Sequence, residues 1–196
     1  MKHDLKKITN FLFETGILSK TPRSGFFFLG SGEQSVAEHI NRVGYVGFAL
    51  AMMAEDVDVA KVLEMCLFHD ITETRISDLN YVHQKYNERD EKKAINDLEQ
   101  DFPFGGKIKK FLEEYKRKDT KEAKLAKDAD SLELLLSLKE QIDIGNERAK
   151  TWVPSLFARL ITDEAKQLAE IIVKTDSDNW WFNNKKDDWW VNRVKK

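Results

Sequence analysis

Residues Thr120–Ile142 read TKEAKLAKDADSLELLLSLKEQI. Leu125, Ala129, Leu132 and Leu136 recur there at steps of four, three and four, the spacing of one apolar helix stripe. The stretch holds neither glycine nor proline, so nothing breaks the periodicity. One residue resists the pattern. Asp130 stands in the middle of the helix, where aspartate is a poor helix former, and it needs a reason beyond propensity.

Outward from this stretch the chain keeps the same character. Only 9 Gly and 3 Pro punctuate 196 residues, and long periodic segments lie between them. Leu5, Ile8, Phe11 and Leu12 mark a helix over about 4–17. Ser35, with Glu38 three residues on, makes a capping box for a helix over about 36–54. Asp58 or a neighbour opens another, with Val59, Val62, Leu63 and Cys66 on one face. A charged amphipathic segment covers about 83–100, and a short helix runs to about 117. Pro154 opens a last long helix to about Lys174. Gly25-Phe26-Phe27-Phe28-Leu29-Gly30 is the one short strand or buried loop. The expectation is an all-α, single-domain bundle of six to eight helices over 1–196, with a C-terminal helix and Trp-rich tail over about 154–196.

Composition narrows the function. The charge is near balance, with 32 basic and 34 acidic side chains and a net charge of −2. No global positive field exists to hold a nucleic acid polymer or a membrane, and neither is expected as a partner. No run of about 18 apolar residues exists, so a spanning helix is not expected. The start MKHDLKKITN does not read as a signal peptide. One cysteine, Cys66, excludes an internal disulfide and fits a reducing, cytoplasmic compartment. The thiol itself reads as a small core residue.

Four histidines occur. His3 and His83 read as solvated. His69 precedes Asp70 at the end of the apolar run Val62–Phe68. Burying a carboxylate there without a partner is costly, and a bound cation is one remedy. Imidazole nitrogen with carboxylate oxygen suits Mn, Fe, Co, Ni and Zn. A His-Asp dipeptide alone is of low specificity and also reads as a helix end. It gains weight from His39, 30 residues upstream, and from Glu73, Asp78 and Asp130 downstream.

The order His39 … His69-Asp70 … Asp130 resembles the HD-domain phosphohydrolases, and more narrowly their 5′-deoxynucleotidase branch. Four segments carry the likeness: Arg23-Ser24-Gly25-Phe26, Ser35-Val36-Ala37-Glu38-His39, Phe68-His69-Asp70-Ile71-Thr72-Glu73 with Asp78-Leu79, and Lys127-Asp128-Ala129-Asp130-Ser131-Leu132-Glu133. They span about 23–135, the metal-site core. Ser24 stands where some relatives carry tryptophan, and Leu79-Asn80-Tyr81 replaces a proline-containing segment.

The resemblance implies an HD-type helical bundle in which His39, His69, Asp70 and Asp130 hold one divalent metal ion, Mn²⁺, Co²⁺ or another first-row ion such as Ni²⁺, Fe²⁺ or Zn²⁺. Glu73 is then the catalytic acid/base, Arg23 orients the phosphate and Asp78 faces the sugar. The substrate touches Arg23, Asp78 and the ligands His39, Asp70 and Asp130. A homodimer is implied as well. Asp128 competes with Asp130 as fourth ligand. Ala126 and Leu134 flank Asp130 on a row that reads as more buried, whereas Asp128 shares a charged stripe with Lys124, which favours Asp130.

Four side roles stay open. Glu133 reads either as support for the site or as a surface charge. Arg75 pairs with Glu73 or Asp78, or contacts phosphate, and Arg42 is a similar case. Trp180, Trp181, Trp189 and Trp190 dock the tail on the core or across a dimer contact, a reading favoured over base stacking.

The leading functional expectation is a metal-dependent phosphomonoesterase acting on (deoxy)nucleoside 5′-monophosphates. A second keeps the metal and changes the nucleotide to a triphosphate, an alarmone or a cyclic dinucleotide. The Gly-Tyr-Pro segment usual in the cyclic-dinucleotide branch is absent. A third is a non-catalytic, metal-stabilised helical binding module.

Overall fold

The computed structural model describes residues 4–183. The chain folds as α1 (Leu5–Thr15), α2 (Phe26–Leu29), α3 (Val36–Met53), α4 (Val59–Phe68), α5 (Glu73–Ile76) and α6 (His83–Tyr86). There follow α7 (Glu91–Asp101), α8 (Gly105–Arg117), α9 (Lys121–Asp143), α10 (Glu147–Lys150), α11 (Val153–Phe157), α12 (Asp163–Ile172) and α13 (Asn179–Phe182). Seven of these helices have ten residues or more, which agrees with the expected bundle. Among the described residues there is no strand, only an isolated bridge between Pro22 and Ser35. No described helix is long and apolar enough to cross a membrane.

The central helix is α9, and it is buried on more than the one stripe its periodicity suggests. Leu125, Ala126, Ala129, Leu132, Leu135 and Leu138 are buried, while Leu136 is only partly so. A helix enclosed by neighbours loses its polar face. Here α3, α4, α8, α10, α11 and α12 all pack on α9. The expected capping box at Ser35 and Glu38 opens α3, and Asp58 caps α4 through the Lys61 N–H.

The apolar interior is divided in two. One core gathers Val43, Val46 and Leu50 of α3 with α4, α9 and α12. The other gathers Val36 and Ile40 of α3 with Phe11, Ile71, Leu98 and Ile108. His39 thus sits on α3 where that helix passes from one core to the other. In the second core α1 buries Phe11 alone, against the rings of Phe102 and Phe104 at 5.0 and 4.8 Å. The rest of its expected stripe faces out, with Leu5 and Leu12 exposed.

Three expectations of local structure need correction. Gly25–Gly30 is a single helical turn, α2, closed by left-handed Gly30. A short apolar run does not separate strand from helix by itself. The segment 83–100 divides into α6 and α7, and Asp90 caps the second. The long helix expected from Pro154 to Lys174 is two helices. Asp128 of α9 breaks it by accepting the Ile161 N–H at 2.9 Å, the Thr162 N–H at 2.7 Å and the Thr162 hydroxyl at 2.7 Å. Thr162 then caps α12.

α3 and α4 approach closely at Gly47. A Cβ built there would lie 2.5 Å from Cys66 Sγ and 3.5 Å from Val62. Gly47→Ala is therefore expected to destabilise the protein by about 1–3 kcal/mol through overpacking. Cys66→Ala in the same chain vacates the space and is expected to recover most of that loss. Urea unfolding of the two variants tests this, and a Gly47→Ala protein as stable as wild type would show that the helices do not meet there.

Candidate metal centre

Local structure brings the site residues to one point. His39 lies in the first turn and a half of α3, behind the Ser35 cap. His69 is the C-cap of α4, with its N–H on the Met65 carbonyl, and Asp70 follows as the chain leaves the helix. Glu73 starts the one-turn α5, which Ser77 ends at φ 61°, a conformation uncommon for a residue with a side chain. That turn delivers Asp78 to Ser24. The Ser24 N–H donates to Asp78 Oδ2 and its hydroxyl to the Asp78 carbonyl, both at 2.8 Å. Ser24 therefore ties Arg23 and Asp78 to one another.

The two imidazoles face each other, with Nε2 atoms 3.3 Å apart. Their other nitrogens decide the tautomers. His69 Nδ1 lies 2.8 Å from the Cys66 carbonyl, which only accepts, so the proton is on Nδ1. His39 Nδ1 lies 2.5 Å from Glu133 Oε2, where the same holds. Both Nε2 lone pairs are thereby aimed at one place, the arrangement metal-ligating histidines use. Asp70 Oδ2 is 3.3 Å from His69 Nε2 and 3.7 Å from His39 Nε2. Asp130 Oδ1 is 3.3 Å from His39 Nε2. His39, His69 and Asp70 each offer an atom to one ion, and Asp130 stands beside them.

A divalent cation fits this donor set. Two neutral imidazoles and two carboxylates suit a first-row ion. Glu73 Oε2 is buried there without a hydrogen-bond partner. The electrostatics are those of a site short of positive charge. Burial, Asp70 and Asp78 push the Glu73 carboxyl up to about 9. Burial and Arg23 oppose a proton on His39, but Asp130 and Glu133 outweigh them and raise its pKa to about 9. That proton and a cation compete for one lone pair. Asp70 is held at about 2 against burial, chiefly by His69. Glu133 is held at about 2 against burial by His39 and Arg42.

The competition between Asp128 and Asp130 resolves by partner rather than by burial. Asp128 is the fully buried one, contrary to the expected charged stripe, and it faces away to α12. Asp130 is partly open and faces His39. Glu133 is no surface charge. It is wholly buried and accepts from Gln34 and Arg42 as well as His39. Arg75 meets neither Glu73, Asp78 nor a phosphate site. It pairs with Glu14 and Asp101. Arg42 braces Glu133, Ser137 and Glu140. His83 is exposed, as expected. His3, Trp189 and Trp190 lie outside the described residues. Trp180 stands exposed, and Trp181 stacks on Phe182.

A cleft of about 270 Å³ opens onto the centre, with Arg23, Asp70, Asp78, Lys127 and Asp130 in its walls. Arg23 Nη1 lies 3.3 Å from Asp70 Oδ2, and Lys127 Nζ lies 2.7 Å from Asp130 Oδ2. Lys127 escaped the sequence reading, although its place three residues before Asp130 on a helix was the signal. Tyr115 was missed too, and its hydroxyl donates to Asp130 at 3.1 Å. So was Trp152, a half-buried ring in the same cleft.

The HD domain, as a family, matches residues 15–172. The chain is 24% identical to human 5′-deoxynucleotidase HDDC2 over 185 residues, 90% of each chain. It is 26% identical to the bovine protein of that name over 148 residues, 72% of this chain and 71% of the other. Among solved structures, a conserved hypothetical protein from Pyrococcus furiosus superposes with a TM-score of 0.73 at 26% identity, covering 85% of this chain and 99% of the other. A predicted metal-dependent phosphohydrolase from Magnetospirillum magnetotacticum shares the fold at a TM-score of 0.69 and 24% identity, covering 87% and 91%. The match spans both cores apart from Phe11, and every residue that converges on the paired imidazoles, and the chain belongs to the HD domain family.

Proposed function

We propose that the protein is a metal-dependent phosphomonoesterase that hydrolyses (deoxy)nucleoside 5′-monophosphates to nucleoside and phosphate. The observation that carries this reading is the pair of Nε2 atoms turned on one point beside a cleft with the cations Arg23, Lys127 and Arg159 in its walls. Relatives named 5′-deoxynucleotidase support the substrate class.

His39, His69, Asp70 and Asp130 would hold the ion, Mn²⁺ or Co²⁺ or else Ni²⁺, Fe²⁺ or Zn²⁺. Such an ion supplies Lewis acidity and activates water at neutral pH. Arg23 presents a planar fork of donors to phosphate oxygens, and Lys127 adds a point charge in the same cleft. Glu73 takes a proton from the attacking water and returns it to the leaving 5′ oxygen as the P–O bond breaks. Asp78, held through one oxygen by Ser24, keeps the other for a sugar hydroxyl.

Tyr45, Phe48 and Met52 form an exposed apolar stripe on α3 and support a homodimer. Buried Cys66, the one cysteine in the sequence, supports a cytoplasmic setting.

Purified protein with Mn²⁺ or Co²⁺ is expected to release inorganic phosphate from the eight common ribo- and deoxyribonucleoside monophosphates, fastest with the deoxy forms. His69→Ala is expected to lower the rate by about 100-fold or more. Pyrophosphate or tripolyphosphate from nucleoside triphosphates, with no monophosphate turnover, would favour another branch of the family. Glu133→Gln leaves the ligands in place but loosens His39, and is expected to weaken metal binding by about 10–100-fold. Calorimetric titration with Mn²⁺ reads that loss, and unchanged affinity would remove Glu133 from the site.

The pH dependence of stability follows from two groups. His39 is raised from 6.5 to about 9, so its contribution is full below about pH 6.5 and is lost as pH rises through 9. Glu73 is raised from 4.5 to about 9, so the unfolded chain gains from ionising it above pH 4.5 and the folded one does not until 9. Both slopes have one sign. In chelator the melting temperature is expected to fall between pH 6 and 9. Added Mn²⁺ is expected to stabilise more as pH rises, because the proton on His39 leaves. A flat chelated profile contradicts the assignment of both groups.

A further inference from the structure

We propose that Tyr81, Trp152 and Arg159 form a nucleobase subsite, the far wall of the same cleft, which makes the protein select a phosphate ester carrying a planar heteroaromatic base over a bare sugar phosphate. The proposal rests on the phosphomonoesterase reading of the metal centre and adds what lies at the other end of the substrate.

The cleft that exposes Arg23, Asp70 and Asp130 is also lined by Tyr81, Trp152, Leu156 and Arg159. These last four continue into a second hollow of about 400 Å³, where Phe28, Val82 and Leu134 join them. One end of the combined space is charged, and the other is aromatic and aliphatic. A nucleotide has the same division, with a dianionic phosphate at one end and a flat, weakly polar base at the other. A base-less sugar phosphate matches only the charged end and leaves the aromatic wall against water.

The wall is built rather than incidental. Trp152 follows α10 and enters α11 as its N-cap. Its ring lies over Gly25, two residues beyond Arg23, with the position of a Gly25 Cβ 3.8 Å from its Cζ3. The indole therefore sits directly over the segment that carries Arg23. Tyr81 meets Trp152 edge-on, with ring centroids 6.3 Å apart and an interplanar angle of 79°. Arg159 donates from Nη2 to the Tyr81 hydroxyl at 3.1 Å and pins that ring from the α11–α12 turn. An indole and a phenol at right angles offer a base one face to stack on and one edge to abut. The guanidinium beside them adds a cation that packs on π faces. The Trp180–Trp190 tail is not needed for this role.

The test compares two substrates with the same reacting group, deoxyadenosine 5′-monophosphate and 2-deoxyribose 5-phosphate. Full-length protein loaded with Mn²⁺ is expected to favour the nucleotide in kcat/KM by tenfold or more. Trp152→Leu and, separately, Tyr81→Ala are each expected to lower the ratio of the two kcat/KM values by about tenfold, the scale of one base–aromatic stack. Trp152→Phe keeps a stacking face and is expected to restore most of the ratio. A purely structural role for these rings would lower both substrates in parallel, and a ratio that stays at the wild-type value in both variants overturns the subsite. Should wild type hydrolyse neither substrate, the phosphomonoesterase reading fails. The wall is then judged by calorimetric titration with deoxyadenosine 5′-monophosphate. Binding weakened about tenfold in Trp152→Leu upholds it, and equal binding refutes it.

Discussion

Glu133 is a carboxylate with no contact with solvent, and the structure around the metal centre depends on how it is satisfied. A buried charge left alone costs several kcal/mol, roughly, and repays this only when every lone pair finds a donor. Glu133 finds four. Oε1 accepts from Gln34 at 2.7 Å, Arg42 at 2.8 Å and Ser137 at 3.1 Å, and Oε2 accepts from His39 at 2.5 Å. These donors come from the loop before α3, from α3 itself and from α9. The same bonds that clamp α3 to α9 therefore set the His39 tautomer. Fold and site are one problem here, because the central helix pairing places the carboxylate that aims the imidazole.

What the imidazole is aimed at explains the charges around it. Asp70 and Asp130 each have a cation of their own, Arg23 and Lys127, in the walls of the cleft. Without a metal ion the remaining negative charge is relieved by protons, on His39 and on Glu73. Both groups are held up to about 9, His39 by Asp130 and Glu133 and Glu73 by burial with Asp70 and Asp78. A divalent cation removes the need for both protons. Held by His39, it would displace the proton from that imidazole, and it would favour an ionised Glu73 at neutral pH. If Glu73 is the acid/base group proposed above, loading the site with metal would also bring it into the form that accepts a proton.

Much of this was legible in the sequence, and the limits have physical causes. Ser35 with Glu38 marks a helix start because the reciprocal bonds are local, and so does Asp58 before α4. The His69-Asp70 pair with His39 and Asp130 was readable because its order resembles that of the HD-domain phosphohydrolases, whereas the dipeptide alone is of low specificity. Asp130 was preferred to Asp128 for a reason the structure reverses. Row-by-row burial along α9 says little when the helix is enclosed on many sides, and the buried residue is Asp128. That same aspartate splits the C-terminal helix by capping at Ile161 and Thr162, more than 30 residues away. Periodicity cannot see such a partner, although Thr162 before Asp163 and Glu164 is itself a helix-start pattern. Arg75 misled for the same reason. Its neighbours in sequence are acidic, yet its partners are Glu14 and Asp101.

Four tryptophans within eleven residues draw attention by density, whereas Trp152 stands alone between the largely polar run Glu147–Thr151 and the largely apolar Val153–Phe157. Density is a property of the chain, and a binding wall is a property of the fold. Trp152 reaches the cleft because Asn146 caps α10 and also bonds the Leu29 carbonyl at 3.0 Å, which binds the turn after α9 to the end of α2. Arg148 adds a second tie, to the Phe28 carbonyl at 3.0 Å. Residues proposed to carry the reaction lie within 23–133 and belong to a motif, since the geometry around an ion permits few substitutes. Residues that would choose the leaving group lie at 81 and 152–159, and they only need to offer flat faces to a base. A wall of that kind tolerates many sequences, whereas a set of donors turned on one ion does not.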